Sequence, residues 1–209
     1  MAIDYSLYLI TDRLLVGDKD FFDAITYALN GGVTLLQVRE KNIDSKNFYN
    51  IALKLKQIAR EFNVPLIVND RLDIALAIDA DGLHIGQNDL PIDVVRSILG
   101  KDKILGYSAS NVEEALYGEK MGADYIGAGA VFATGSKLDA GDAIGLKGLK
   151  EIVEHVHIPV VGIGGISINN LSEIKAVGAE GISLISGILS QKDTYKAAKE
   201  LIQQWKKKS

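Results

Sequence analysis

Apolar and polar positions along the chain fall into two alternating rhythms. Short continuous runs rich in β-branched and other apolar residues occur at Leu7–Ile10, Thr34–Val38, Leu66–Val68, Leu83–Ile85, Ile104–Gly106, Tyr125–Gly127, Val160–Ile163 and Ile182–Ile185. Each has the length and composition of a β-strand. The longer stretches between them follow a helical period. In residues 45–62, Phe48, Ile51, Ala52, Leu55, Ile58 and Ala59 recur at i, i+3, i+4 and i+7, which gives one apolar face to lay against a sheet. The strands return about every 25 residues. Glycine precedes several of them, in Gly31-Gly32, Gly122-Ala123-Asp124 and Gly178-Ala179-Glu180, where it is expected to cap a helix and release the chain into the next strand.

Continuous apolar strands are buried on both faces, which is the habit of a parallel sheet. Eight βα units in 209 residues predict an α/β chain folded as a small (β/α)8 barrel; a doubly wound open sheet is the alternative. No linker or low-complexity tract divides the chain, so residues 1–209 are expected to form one domain.

Composition narrows the chemistry. Hydrophobic residues make up 47% and charged residues 24%, which excludes disorder. With 23 Lys and Arg against 27 Asp and Glu, the net charge of −4 argues against a nucleic-acid partner. There is no cysteine, so disulfides, thiolate zinc sites and Cys nucleophiles are excluded, and a reducing cytoplasm is the expected location. The first ten residues lack the basic start and apolar run of a secretory signal, and no apolar stretch is long enough to cross a membrane. Oligomeric state is not encoded in any visible pattern; a homo-oligomer is possible.

In a barrel the reactive face is built from the carboxyl ends of the strands, and here those ends are polar. The first four lead into Thr11-Asp12-Arg13, Gln37-Val38-Arg39-Glu40-Lys41, Asn69-Asp70-Arg71 and Gly86-Gln87-Asn88-Asp89. The later ones lead into Ser108, Ala133-Thr134-Gly135-Ser136-Lys137, Gly162-Ile163-Gly164-Gly165 and Ile185-Ser186-Gly187. Spacing of two places Gln37, Arg39 and Lys41 on one face, an amide and two cations that suit an anion, with Lys137 as a further positive group. The competing reading is an internal salt bridge to Glu40 or Asp70. Asp70 and Asp89, at the ends of neighbouring strands, suit a hard cation such as Mg2+. The same acids could instead pair with Arg71 or Arg39, or form an acid/base pair, although nearby cations are expected to lower their pKa values. The glycine-rich turns near Gly165 and Ser186 leave backbone amides bare for a phosphate, or are simply tight turns. Of the three histidines, His84 reads as a satisfied core residue, and His155 and His157 as helix-end residues.

Taken together, these motifs closely resemble the thiamine phosphate synthase family over essentially the whole chain. The resemblance rests on Tyr8-Leu9-Ile10-Thr11-Asp12, Gln37 to Lys41, Val68 to Asp73, His84 to Asp89, Gly106 to Ala109, Thr134 to Lys137, Gly162 to Ile166 and Ile185-Ser186. It implies that Gln37, Val38, Arg39, Glu40, Lys41, Asn69, Ser108 and Lys137 hold a hydroxymethylpyrimidine diphosphate, with Arg39, Lys41, Ser108 and Lys137 catalytic. It implies that Asp70 and Asp89 hold Mg2+, and that Thr134, Gly135, Ser136, Gly165, Ile185 and Ser186 hold a thiazole phosphate. The implied reaction joins the two small-molecule substrates to thiamine monophosphate with release of pyrophosphate, by a dissociative path. The chain departs from the family pattern at Ala130, where proline is usual, at Gly135-Ser136 within Thr-x-Thr-Lys, and at Ser110; Ser136 keeps a hydroxyl for the phosphate, while Gly135 and Ala130 are expected to loosen the loop after the sixth strand. Other readings are a related barrel enzyme such as a thiazole tautomerase or a sugar-phosphate isomerase, and a non-catalytic regulator that binds phosphate ligands.

Overall fold

The computed structural model describes residues 3–135 and 142–207. Eight parallel strands close into a barrel in sequence order: β1 (Leu7–Ile10), β2 (Leu35–Val38), β3 (Leu66–Asn69), β4 (Gly82–Ile85), β5 (Ile104–Ala109), β6 (Tyr125–Gly129), β7 (Val160–Ile163) and β8 (Gly181–Leu184). Closure comes from β1 pairing with both β2 and β8, with Tyr8 opposite Leu35 on one side and Ser183 on the other. The open-sheet alternative is therefore set aside.

The helices form the outer layer: α1 (Phe21–Asn30), α2 (Ser45–Glu61), α3 (Leu72–Ala77), α4 (Ile92–Leu99), α5 (Val112–Lys120), α6 (Gly145–His155), α7 (Leu171–Ala176), α8 (Ser186–Leu189) and α9 (Thr194–Lys206). The α2 face foreseen in the sequence is the one that packs, with Phe48, Ala52, Leu55 and Ala59 buried and Ile51 and Ile58 partly buried against the core. Its start is fixed by Asp44, whose carboxylate accepts the Asn47 N–H at 2.9 Å. The glycines before β2, β6 and β8 sit in the left-handed region, with φ of 110° at Gly32, 101° at Gly122 and 90° at Gly178.

Most of the core lies in the annulus between sheet and helices, where side chains such as Leu36, Ile25 and Leu66 are fully buried. Each such burial is worth about 1.5–3 kcal/mol. The barrel interior is different. Hydrogen bonds run across it between Tyr8, Gln37, Tyr125 and His84, from four different strands, so these polar side chains point inward together. At the amino-terminal end, Arg96 of α4 ties the structure shut by donating to the carbonyls of Gly100, Lys103 and Gly122 and to the Asp124 carboxylate. Among the described residues no helix is long and apolar enough to cross a membrane.

Candidate active site

At the carboxyl ends of the strands the barrel opens into a cavity of about 630 Å3. One side of its wall is charged. After β2 the chain leaves the sheet at Val38, and the Arg39 N–H is anchored by the buried Thr11 hydroxyl at 3.0 Å, which sends the Arg39 and Lys41 side chains to the cavity. The Lys41 ammonium lies 3.5 Å from an Asp70 carboxylate oxygen. Asp70 follows β3 directly, with φ of 62°, a left-handed conformation that Asp tolerates better than most residues. Its N–H donates to the His84 carbonyl at 2.9 Å. Asp89 is held from β4 by accepting the Gly86 N–H at 2.8 Å.

The two acids meet. Asp70 has its pKa raised, first by burial and then by the Asp89 carboxylate beside it, while Lys41 only partly offsets both. The sequence-based expectation that nearby cations lower these pKa values is corrected for Asp70, because burial and the second acid outweigh the single ammonium. Arg71, one of the proposed competitors, turns away to grip Asp73 at 2.5 Å. The resulting pair of oxygen donors, facing the cavity and short of positive charge, suits a small hard cation that completes its shell with water or phosphate oxygens. Among the described residues no group of three or more His, Cys, Asp or Glu is placed to hold a metal ion, so the pair would hold such an ion only in part.

The opposite side is built from main chain. Gly164 and Gly165 follow β7 with φ of 95° and 64°. A Cβ on Gly165 would stand 2.7 Å from the Phe132 Cβ and 2.8 Å from the Ala133 carbonyl oxygen, so only glycine lets this turn lie on the loop after β6. The Phe132 N–H donates to the Gly164 carbonyl at 3.1 Å and locks the two loops together. Next to them Ile185 and Ser186 form the step from β8 into α8. Since β3 and β7 lie across the barrel from one another, the acidic and glycine-rich walls face each other over the cavity.

Arg39, Lys41, Asn69, Asp70, Asp89, Ser108, Thr134, Gly165, Ile185 and Ser186 all line this cavity. Other residues singled out in the sequence stand elsewhere. Gln37 is one layer deeper, 1% exposed, donating from Nε2 to the Tyr8 hydroxyl at 2.5 Å. Val38 is buried in the barrel wall, and Gly135 is exposed beside the mouth rather than lining it. Glu40 forms a 3.0 Å ion pair with Arg13, and burial raises its pKa against the pull of that guanidinium. Ser136 and Lys137 lie outside the described residues. Gly164, part of the glycine-rich turn read as a phosphate site, lines the cavity with Gly165, and so does His84, which had been assigned no binding role. His84 is a satisfied residue, as expected, but it also reaches the floor of the cavity; its inward polar position near the end of β4 was the available signal.

Three comparisons bear on this arrangement. Residues 7–188 match the family model described as thiamine monophosphate synthase. The chain belongs to the thiamine monophosphate synthase family. It is 63% identical over 206 residues to a thiamine-phosphate synthase of Desulfitobacterium hafniense, covering 99% of this chain and all of that one. A thiamine-phosphate synthase of Clostridium novyi is 53% identical over 201 residues, covering 96% and 98% of the two chains. Among solved structures, a thiamine phosphate pyrophosphorylase from Pyrococcus furiosus superposes with a TM-score of 0.90 at 44% identity, covering 97% of this chain and 96% of that one. Family membership carries the activity class with it: the chain is an enzyme, a transferase of thiamine biosynthesis.

Proposed function

We propose that the chain is a thiamine-phosphate synthase that couples 4-amino-2-methyl-5-hydroxymethylpyrimidine diphosphate to 4-methyl-5-(2-phosphoethyl)thiazole or its carboxylated form. The products are thiamine monophosphate and pyrophosphate. One observation carries this reading: a single cavity has Arg39, Lys41 and the Asp70–Asp89 pair on one wall and a glycine turn on the wall opposite. Two anionic substrates can therefore enter head to head, each held by its own phosphate. The thiazole tautomerase, sugar-phosphate isomerase and regulator readings are not favoured, since the sequence relatives named above are thiamine-phosphate synthases and the solved relative is a thiamine phosphate pyrophosphorylase.

In this reading Arg39 grips diphosphate oxygens through two parallel N–H groups while Lys41 acts as a point charge. Asn69 and Ser108 orient the diphosphate end. Below them the Gln37 Oε1, buried and without a hydrogen-bond partner among the described residues, is an acceptor suited to the amino group of the pyrimidine. Asp70 and Asp89 would hold Mg2+, which supplies positive charge to the departing diphosphate. Positive groups aimed at a developing anion are commonly worth about 2.7–4 kcal/mol each in the transition state. As the C–O bond to the diphosphate breaks, its electron pair leaves with the phosphate oxygen; the thiazole nitrogen then supplies the pair for the new C–N bond. Gly165, Ile185, Ser186 and Thr134 hold the thiazole phosphate by backbone and hydroxyl groups, so that binding energy remote from the nitrogen aligns it with the pyrimidine methylene. A cytoplasmic setting suits a cysteine-free enzyme with diphosphate substrates.

The test is pyrophosphate release measured with each substrate alone and with both, with and without Mg2+. Release only when both substrates and the metal are present is expected; release from the diphosphate alone, or none under any condition, refutes the assignment.

A further inference from the structure

The polar interior of the barrel is a connected chain of hydrogen bonds. The Gln37 Nε2 donates to the Tyr8 hydroxyl, the Tyr8 and Tyr125 hydroxyls lie 2.8 Å apart, and Tyr125 lies 2.8 Å from the His84 Nδ1. The His84 Nε2 in turn lies 2.9 Å from the Ser108 hydroxyl, which lines the cavity. Each phenol has one proton, and burial pushes the pKa of both far up, so both stay protonated. Because Tyr8 already accepts from Gln37, its proton goes to the Tyr125 oxygen. The Tyr125 proton then goes to the His84 Nδ1, which leaves the imidazole hydrogen on Nε2, pointing at the Ser108 oxygen.

The backbone is built around this chain. A Cβ on Gly106 would overlap both the Tyr125 hydroxyl and the His84 Nδ1, and one on Gly127 would stand 3.0 Å from the His84 Cε1. Two neighbouring strands thus keep glycine where the ring and the phenol meet. The rings of His84 and Tyr125 are 5.5 Å apart and tilted by 37°, so packing as well as hydrogen bonding fixes the imidazole.

We propose that Tyr125 is a positioning residue: it fixes His84 as the neutral Nε2–H tautomer, and His84 in turn occupies the Ser108 oxygen so that the Ser108 proton is offered to the cavity. Ser108 then faces an oxygen of the diphosphate as a donor. The last step rests on the synthase reading; the tautomer does not.

The experiment is 15N NMR of histidine-labelled protein without substrate, with His155→Gln and His157→Gln variants to assign the His84 signals. The wild type is expected to show a protonated Nε2 and an unprotonated Nδ1. Tyr125→Phe removes one hydroxyl and is expected to give a mixture of the two tautomers. It should also lower kcat about tenfold, the weight of one hydrogen bond, with the KM for the thiazole phosphate unchanged. Ser108→Ala combined with Tyr125→Phe should be no slower than Ser108→Ala alone. Tyr8→Phe is expected to leave the tautomer in place, because the Tyr125 proton still has the His84 Nδ1 to bind, and this variant decides the matter if Tyr125→Phe does not fold. A wild-type Nδ1–H signal, an unmoved signal in Tyr125→Phe, a moved one in Tyr8→Phe, or rate effects that multiply each overturn the proposal. Since the NMR is done on the free protein, a missing synthase activity and a wrong tautomer are separate outcomes.

Discussion

Asp70→Asn separates the two roles of the acidic wall. Asparagine accepts a φ of 62° as readily as aspartate does, so the backbone of the β3 turn is kept and only the charge is lost. In the metal-free protein that loss removes a burden. The Asp70 pKa is raised in the folded state, so the fold binds its proton more tightly than the unfolded chain does; the contribution to stability is greatest below the unfolded pKa and is lost as pH rises through the folded one. At neutral pH the charged carboxylate therefore disfavours folding, and Asp70→Asn without metal should be at least as stable as the wild type. With Mg2+ the order reverses. At a hundred times its dissociation constant the ion stabilises a protein that binds it by about 2.7 kcal/mol. For a domain of this size that is a rise in Tm of about 5–11 °C. Scanning calorimetry with and without MgCl2, against a KCl control of equal ionic strength, should show this rise in the wild type and almost none in the variant. Pyrophosphate release should fall by about two to three orders of magnitude. An equal Mg2+ shift in both proteins, or a metal-free variant several degrees less stable than the wild type, refutes the reasoning.

Three further substitutions probe the other walls and the closed end. Gly165→Ala places a Cβ 2.8 Å from the Ala133 carbonyl oxygen at a left-handed φ; it should raise the KM for the thiazole phosphate at least about tenfold, read by initial rates against each substrate in turn. Arg39→Lys keeps the charge and loses the planar fork; kcat/KM for the diphosphate substrate should fall by about ten- to a hundredfold, and an unchanged value would exclude a bidentate grip. Arg96→Ala breaks bonds to three carbonyls and Asp124 at the end of the barrel away from the cavity; Tm should drop by about 4–12 °C while kcat at 25 °C stays the same.

The barrel was legible because its strands are unbroken apolar runs, and the runs at β1 and β7 match the observed strands residue for residue. β5 and β6 extend further than the apolar pattern, to Ala109 and Gly129, because their last inward positions carry Ser108 and Gly129 rather than bulky aliphatics. A barrel interior that reaches a polar mouth erases the signal by which a strand is recognised. Parity placed Gln37, Arg39 and Lys41 on one side, but it does not encode depth: β2 ends at Val38, so Gln37 stays below while Arg39 and Lys41 reach the cavity. The raised pKa of Asp70 was missed because a sequence counts charges and not their burial. His84 could not be read as a hub, since its partners Tyr125 and Ser108 come from other strands, 41 and 24 positions away.

The turn after β7 has a consequence for how such an enzyme can change. A donor made of main-chain amides has no side chain to delete, so point mutation weakens it only by adding bulk at Gly164 or Gly165, where there is no room. Selection for a wider or different azole partner is therefore expected to leave those two codons alone and to accumulate replacements around them, whereas the acidic wall can be silenced by a single base change.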